Sequence, residues 1–131
     1  MEDDGGALSA AITCAGLALA DAGIPMYDII TASTVGVIGN HIWLDPTAIE
    51  EDLCNNGTCD TEQEEHGLIM MAKLSTHDQI SELFQSGALS IETIQKANEL
   101  LQQTDAEFVQ IIKQILVKKV LSEKQRKEKP N

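Results

Sequence analysis

Basic residues are almost missing from the first 112 positions of this 131-residue chain, where Lys73 and Lys96 stand against 19 Asp and Glu. Such a body is not expected to bind nucleic acid by itself, because Lys and Arg that neutralise phosphates supply most of that affinity. Aromatics are as scarce: Tyr27, Trp43, Phe84 and Phe108 are the full set, so the core has to be built from aliphatic side chains. Cys14, Cys54 and Cys59 are an odd number, which suits a reducing compartment better than a disulfide framework. No apolar run reaches the ~20 residues that a bilayer crossing needs. Glu2, Asp3 and Asp4 occupy the place where a secretory leader carries positive charge, so neither a membrane partner nor a signal peptide is expected.

What basic charge there is gathers at the far end. Residues 113–131 hold 7 Lys and Arg against 2 Glu, so a body of −17 is followed by a tail of +5, giving the net −12 of the whole. The tail has two readings, an RNA contact or a means of keeping a helix end in water. At this length one compact domain is the default, with enough chain to bury a core.

The most apolar stretch is Asp3 to Pro25, DDGGALSAAITCAGLALADAGIP. Asp4 is a suitable N-cap, Gly5-Gly6 permits a sharp entry, and Gly23 followed by Ile24-Pro25 is a stop signal. Between them only Ser9, Thr13 and Gly16 interrupt a run of Ala, Leu, Ile and Cys. A helix that is apolar all round is expected to be buried in the middle of a layered domain.

After it, Tyr27 to Gly39 is rich in β-branched residues and reads as strand, with Gly36 marking a bulge or a close approach. Gly39-Asn40 makes a hairpin turn, and His41 to Leu44 returns as a second strand that Asp45-Pro46-Thr47 ends. Ala48 to Glu65 reads as an acidic, solvated connection with at most a helical turn at Thr47 to Leu53. His66 to Leu74 and Gln79 to Gln85 form a second hairpin, although Ile80, Leu83 and Phe84 do not alternate cleanly. Gly87 breaks the chain, and Ser90 with Glu92 starts a long helix. Its apolar stripe runs from Ile91 to Leu121, with a kink expected at Gln102 to Asp105. The fold class is α+β: a buried helix on a small mixed or antiparallel sheet, plus a long C-terminal helix. Residues 1–121 form the domain and 122–131 a charged, disordered tail.

Candidate sites carry little chemistry. Asp4-Gly5-Gly6 ahead of a helix is a possible phosphate cradle, but an isolated Gly-Gly with no Lys or Arg nearby is more simply a flexible entry. Asp45, Glu50, Glu51 and Asp52 have the oxygen donors that a hard cation takes, yet acidic runs of this kind are mostly solvated. Cys54, Cys59 and His66 lack the spacing of a zinc site. His41 and His77 have no nucleophile partner by spacing, and Met70 and Met71 read as core. Composition and spacing assign no catalytic, cofactor-binding or metal residue.

The residues themselves say more than their pattern. Asp4-Gly5-Gly6, Ala10-Ala11, the run Leu17 to Met26 (LALADAGIPM), and Leu44-Asp45-Pro46-Thr47 with Glu50-Glu51 closely resemble the RNase PH family. Within it they look most like eukaryotic exosome ring subunits of the mRNA transport regulator 3 type. The resemblance covers Asp3 to about Leu121 and implies the second half of an RNase PH domain, so that an absent first half leaves one face of the apolar helix uncovered. Phosphorolytic members continue Asp-Gly-Gly with Thr-Arg, where this chain has Ala7 and Leu8. Without a guanidinium aimed at a phosphate, no phosphate site is expected. Asp45 matches the first of the acidic residues by which active members hold a metal, but Pro46-Thr47 and the interval to Asp52 resemble non-catalytic subunits.

The resemblance thus implies a structural, non-enzymatic role in RNA processing and 3′-to-5′ degradation, without a cofactor. Its partners would be other RNase PH-type ring subunits, cap subunits, and RNA within the assembled complex, in nucleus, nucleolus and cytoplasm. Two alternatives stand beside it: a phosphate-dependent 3′-to-5′ exoribonuclease, and a truncated fragment that competes for a ring neighbour.

Overall fold

The computed structural model describes residues 4–57 and 65–127. Seven elements follow in order: α1 (Ala7–Asp21), β1 (Ile30–Ile38), β2 (His41–Leu44), α2 (Ala48–Asn56), β3 (His66–Leu74), β4 (Gln79–Ala88) and α3 (Ile91–Lys127). The four strands form one sheet in the order β2-β1-β3-β4, and every pairing is antiparallel. The fold is therefore α+β as expected, with the mixed option excluded.

Alternation along β1 and β3 divides the core between the two sheet faces. Val35, Ile69 and Met71 point to one face and pack with Ala97 and Leu101 of α3. Ala32, Met70 and Ala72 point to the other, where Ile12 of α1 joins them, and Leu68 and Ile38 meet Cys54 of α2. Gly36 stays in register with both Leu68 and Trp43, so it marks a close approach and not a bulge. A Cβ there would lie 2.7 Å from the Cys54 sulfur.

The opening helix departs most from expectation. Its buried positions are Ser9, Thr13 and Gly16, the three interruptions in the apolar run, while Leu8 is 57% and Leu19 43% exposed. The reason lies at the sheet edge. β2 pairs only with Val35 to Ile38, so Ile30 to Thr34 of β1 have no strand on that side. The Thr13 hydroxyl accepts from the Ala32 amide at 3.0 Å and donates to the Ala32 carbonyl at 3.4 Å. Gly16 permits this approach, since a Cβ would stand 2.8 Å from Ile30. Thr13 thus satisfies an open strand edge, Ser9 donates back to the Gly6 carbonyl, and most of the apolar residues are left outside the core.

Other differences have local causes. Tyr27 to Ile29 are not strand, because Asp28 is turned to the β3–β4 turn, where it accepts from the Thr76 amide (2.6 Å), the Thr76 hydroxyl (2.9 Å) and His77. Residues 48–56 form a full helix because Thr47 and Glu50 close a capping box. The uneven pattern of the fourth strand comes from a bulge beside Ala72/Lys73 that skips Ser81, so that Ile80 and Leu83 share one face. That strand also runs on to Ala88. No kink occurs at Gln102 to Asp105: α3 is unbroken, with the Thr104 hydroxyl donating to the Leu100 carbonyl and Asp105 bonded across to Thr31. The helix also continues past Leu121 to Lys127 instead of giving way to a disordered tail at Ser122, since Glu123, Lys124, Gln125 and Arg126 are good helix formers. Residues 128–131 of that tail, and Cys59, lie outside the described residues.

Asp28 gives a first test. Its side chain is 5% exposed, and burial alone would push its carboxyl up, but the Thr76 amide and hydroxyl, His77 and the Ile29 amide outweigh burial and hold it well below the usual carboxylate range. A depressed folded value stabilises above the unfolded pKa of about 4 and is lost as pH falls below it. Asp28→Asn should cost about 1–3 kcal/mol at pH 7 in urea unfolding. The wild-type advantage should shrink as the pH is taken below about 4.

Candidate functional site

The residues singled out as possible ligands meet where α1, β2 and α2 begin or end. Gly5 and Gly6 both have positive φ, 95° and 62°, and Gly6, not Asp4, is the N-cap, with no side-chain bond to the first turn. The Asp4 carbonyl instead accepts from the Ala48 amide at 2.8 Å, which ties the entry of α1 to the start of α2. The backbone is tight here, since a Cβ on Gly5 would lie 2.7 Å from the Thr47 carbonyl carbon and 2.8 Å from the Ala48 nitrogen.

The Gly6 amide, the group best placed to cradle an anion, donates to the Glu51 carboxylate at 2.8 Å. The chain's own carboxylate thus occupies the positive end of α1. Asp45 comes to the other side of Gly6, its Oδ1 only 2.9 Å from where a Gly6 Cβ would be. It adopts φ 53°, uncommon for a non-glycine residue, and its amide donates to the Thr34 carbonyl at 2.9 Å. Two carboxylates therefore flank one glycine.

Spacing linked Asp45, Glu50, Glu51 and Asp52, but the fold separates them. Glu50 accepts from the Thr47 amide (2.7 Å) and hydroxyl (2.9 Å), the donors that hold its carboxyl below the ordinary value. Asp52 accepts from Asn56, one turn further along α2, at 2.7 Å. Among the described residues no three His, Cys, Asp or Glu gather as a metal site would require. Cys54 is buried against Gly36, and burial pushes its thiol up. His41 stacks on Trp43, while His77 stacks on Tyr27 at 4.3 Å and bonds to Asp28. Met70 and Met71 are 3% and 1% exposed, in the core as expected.

A cleft of about 500 Å³ leads from Gly5, Gly6 and Asp45 past Thr13 to Thr104 and Phe108 of α3, and no Lys or Arg lines it. Ala7 and Leu8 are exposed beside a shallow depression that also reaches Glu51, Met70 and Phe84, and neither side chain offers a donor to the site. Sequence reasoning missed Glu51 as the group on the Gly6 amide; its place in the first turn of a capped helix was the available signal. No described helix is long and apolar enough to cross a membrane.

No family model matches the chain. Over 116 residues, 88% of the chain, it is 34% identical to the exosome complex component RRP41-like of Arabidopsis thaliana. The likeness is to RNase PH-type exosome components, and it covers only part of each. Human exosome complex component MTR3 is 47% identical over 55 residues, 40% of the chain, and Schizosaccharomyces pombe exosome complex component ski6 is 39% identical over 51 residues, 39% of the chain. The matched region is 41% of the plant relative and about a fifth of the other two, so the chain spans less than half the length of these relatives. Three helices on a four-stranded antiparallel sheet are consistent with a portion of an RNase PH-like domain.

Proposed function

We propose that the chain acts as a non-catalytic, structural part of an RNA exosome ring, of the mRNA transport regulator 3 type. It contributes to RNA processing and 3′-to-5′ degradation by scaffolding and by lining the RNA path. The observation that carries this reading is the Glu51 carboxylate on the Gly6 amide, with Asp45 beside it and no cation in the cleft. A phosphate approaching that helix end meets two negative charges where an attacking phosphate needs donors. Ring and cap subunits of the exosome are its partners, RNA is met only within the assembled complex, and the setting is nucleus, nucleolus and cytoplasm. The outward apolar face of α1 supports assembly as well, since the rest of an RNase PH-type domain would cover it.

The alternative, a phosphate-dependent exoribonuclease, draws on Asp45 and Glu51 lying on either side of Gly6. Calorimetry with inorganic phosphate separates the two. Wild-type chain should show no binding, whereas Ala7→Thr, Leu8→Arg and Glu51→Gln together should bring binding into about the millimolar range. RNA phosphorolysis by a reconstituted ring that is lost on Asp45→Asn would reject the structural reading.

A further inference from the structure

The contact between α3 and the sheet changes character along its length. Toward the helix start it is apolar, with Ala97 and Leu101 fully buried over Val35, Ile69 and Met71. One turn later it becomes polar: Asp105, 4% exposed, accepts from the hydroxyl of Thr31, which is 1% exposed. The Ser33 hydroxyl on β1 and the Asn98 side-chain oxygen on α3 are buried without a protein hydrogen-bond partner. Beyond it only Val109 and Ile112 are buried, and from Lys113 on α3 projects with Ile115, Val117, Val120 and Leu121 more than half exposed. Among the described residues one ion pair, Lys119 with Asp21, ties that projection to α1. Asp105 is therefore the last polar anchor before the helix leaves the sheet.

We propose that the charge state of Asp105 controls how tightly the distal part of α3 is docked on β1: fast with the carboxyl protonated, loosened when it is ionised. A carboxylic acid can share a hydrogen bond with Thr31 without carrying charge into the core, whereas a buried carboxylate needs more donors than one hydroxyl supplies. The charged groups facing it are few. From β3 comes Lys73, the strand partner of Thr31, and Lys73 is itself engaged by Asp78 of the β3–β4 turn. β1 supplies only the Thr31 hydroxyl, and β2 pairs with the other end of β1.

Burial pushes the Asp105 carboxyl up, opposed by the Thr31 hydroxyl and by Lys73, with Asp78 adding to the rise. A folded value above the unfolded one means that the contribution is complete below about pH 4 and is lost as pH climbs through the folded value. Docking of α3 therefore weakens as the pH approaches neutrality. Each unit of elevation corresponds to about a tenfold change in the docked-to-loosened ratio.

Amide hydrogen exchange of the full 131-residue chain, normalised for intrinsic rates, tests this at pH 5 and pH 7.5 on wild type, Asp105→Asn and Thr31→Val. Wild type should lose about three- to tenfold protection at the higher pH in β1 residues 30–34 and α3 residues 105–112, with α1 and the β3–β4 hairpin little changed. Asp105→Asn should be flat with pH, and Thr31→Val, which removes the donor that favours the ionised form, should respond more steeply. The proposal is overturned by an equal loss in Asp105→Asn, by no loss in wild type, or by a loss spread evenly over every element.

Discussion

Gly5→Ala is expected to cost the chain about 3 kcal/mol or more. Two penalties coincide there. At φ 95° an L side chain is strained, and the new Cβ would be driven into backbone, the Pro46 carbonyl and the Thr47–Ala48 peptide, with no flexible side chain to give way. Yielding would pull the Asp4 carbonyl from the Ala48 amide and the Gly6 amide from Glu51. Two other glycines calibrate the result. Gly6→Ala, at φ 62°, meets first the Asp45 carboxylate, a movable group, and Gly23→Ala, at φ 71°, meets nothing within 4 Å. Each of these should cost about 1 kcal/mol for the backbone alone. Urea midpoints of the three variants give the order; similar losses in all three would mean that the α1–α2 junction is loose.

Leu8→Glu with Leu19→Glu should have the opposite profile, leaving the fold of the chain in place and removing its association. Both side chains lie on the outward face of α1, 57% and 43% exposed, and neither belongs to a core cluster. Glutamate is a good helix former, so α1 should keep its helicity. The outer face continues to Phe84 of β4, and a shallow depression lies between Leu8, Met70 and Phe84. Covering two leucines is worth about 2 kcal/mol each, so binding of a separately produced RNase PH-type first half to the chain carrying both changes should weaken about a thousandfold. Far-UV circular dichroism of the variant should match wild type, and sedimentation should show less self-association. Unchanged binding would mean that this face is not the one covered.

Much of the architecture was legible in the residues because it is local. His66 to Leu74 reads as a strand and is one, since β3 is buried on both faces and its short continuous apolar run has no competing period. The stop of α1 was equally plain: Gly23 sits at φ 71°, with the Ile24 amide on the Leu19 carbonyl and the Gly23 amide on the Ala20 carbonyl, the paired bonds a glycine after a helix permits. The bulge at Ser81 was not legible, because it depends on what β3 presents opposite. Ala48 to Glu65 reads as a solvated connection with at most a helical turn at Thr47 to Leu53, because its acidity outweighs the capping box that Thr47 and Glu50 form.

The site divides in the same way. Ala7 and Leu8 in place of Thr and Arg are visible by comparing residues, and they argue against a phosphate contact without any coordinates. That Glu51 is the anion on the Gly6 amide required the fold, because 45 positions separate the two.

The sequence by itself determined most of the order of helices and strands and that the body is acidic and poor in basic donors, since these follow from near neighbours and composition, while the resemblance to the RNase PH family rests on particular residues. Only the tertiary structure decided which side of α1 is inside. An all-apolar helix has no preferred face by its own pattern, and the choice fell to the open edge of β1, whose unpaired Ala32 amide and carbonyl required the hydroxyl of Thr13 more than the sheet required another leucine.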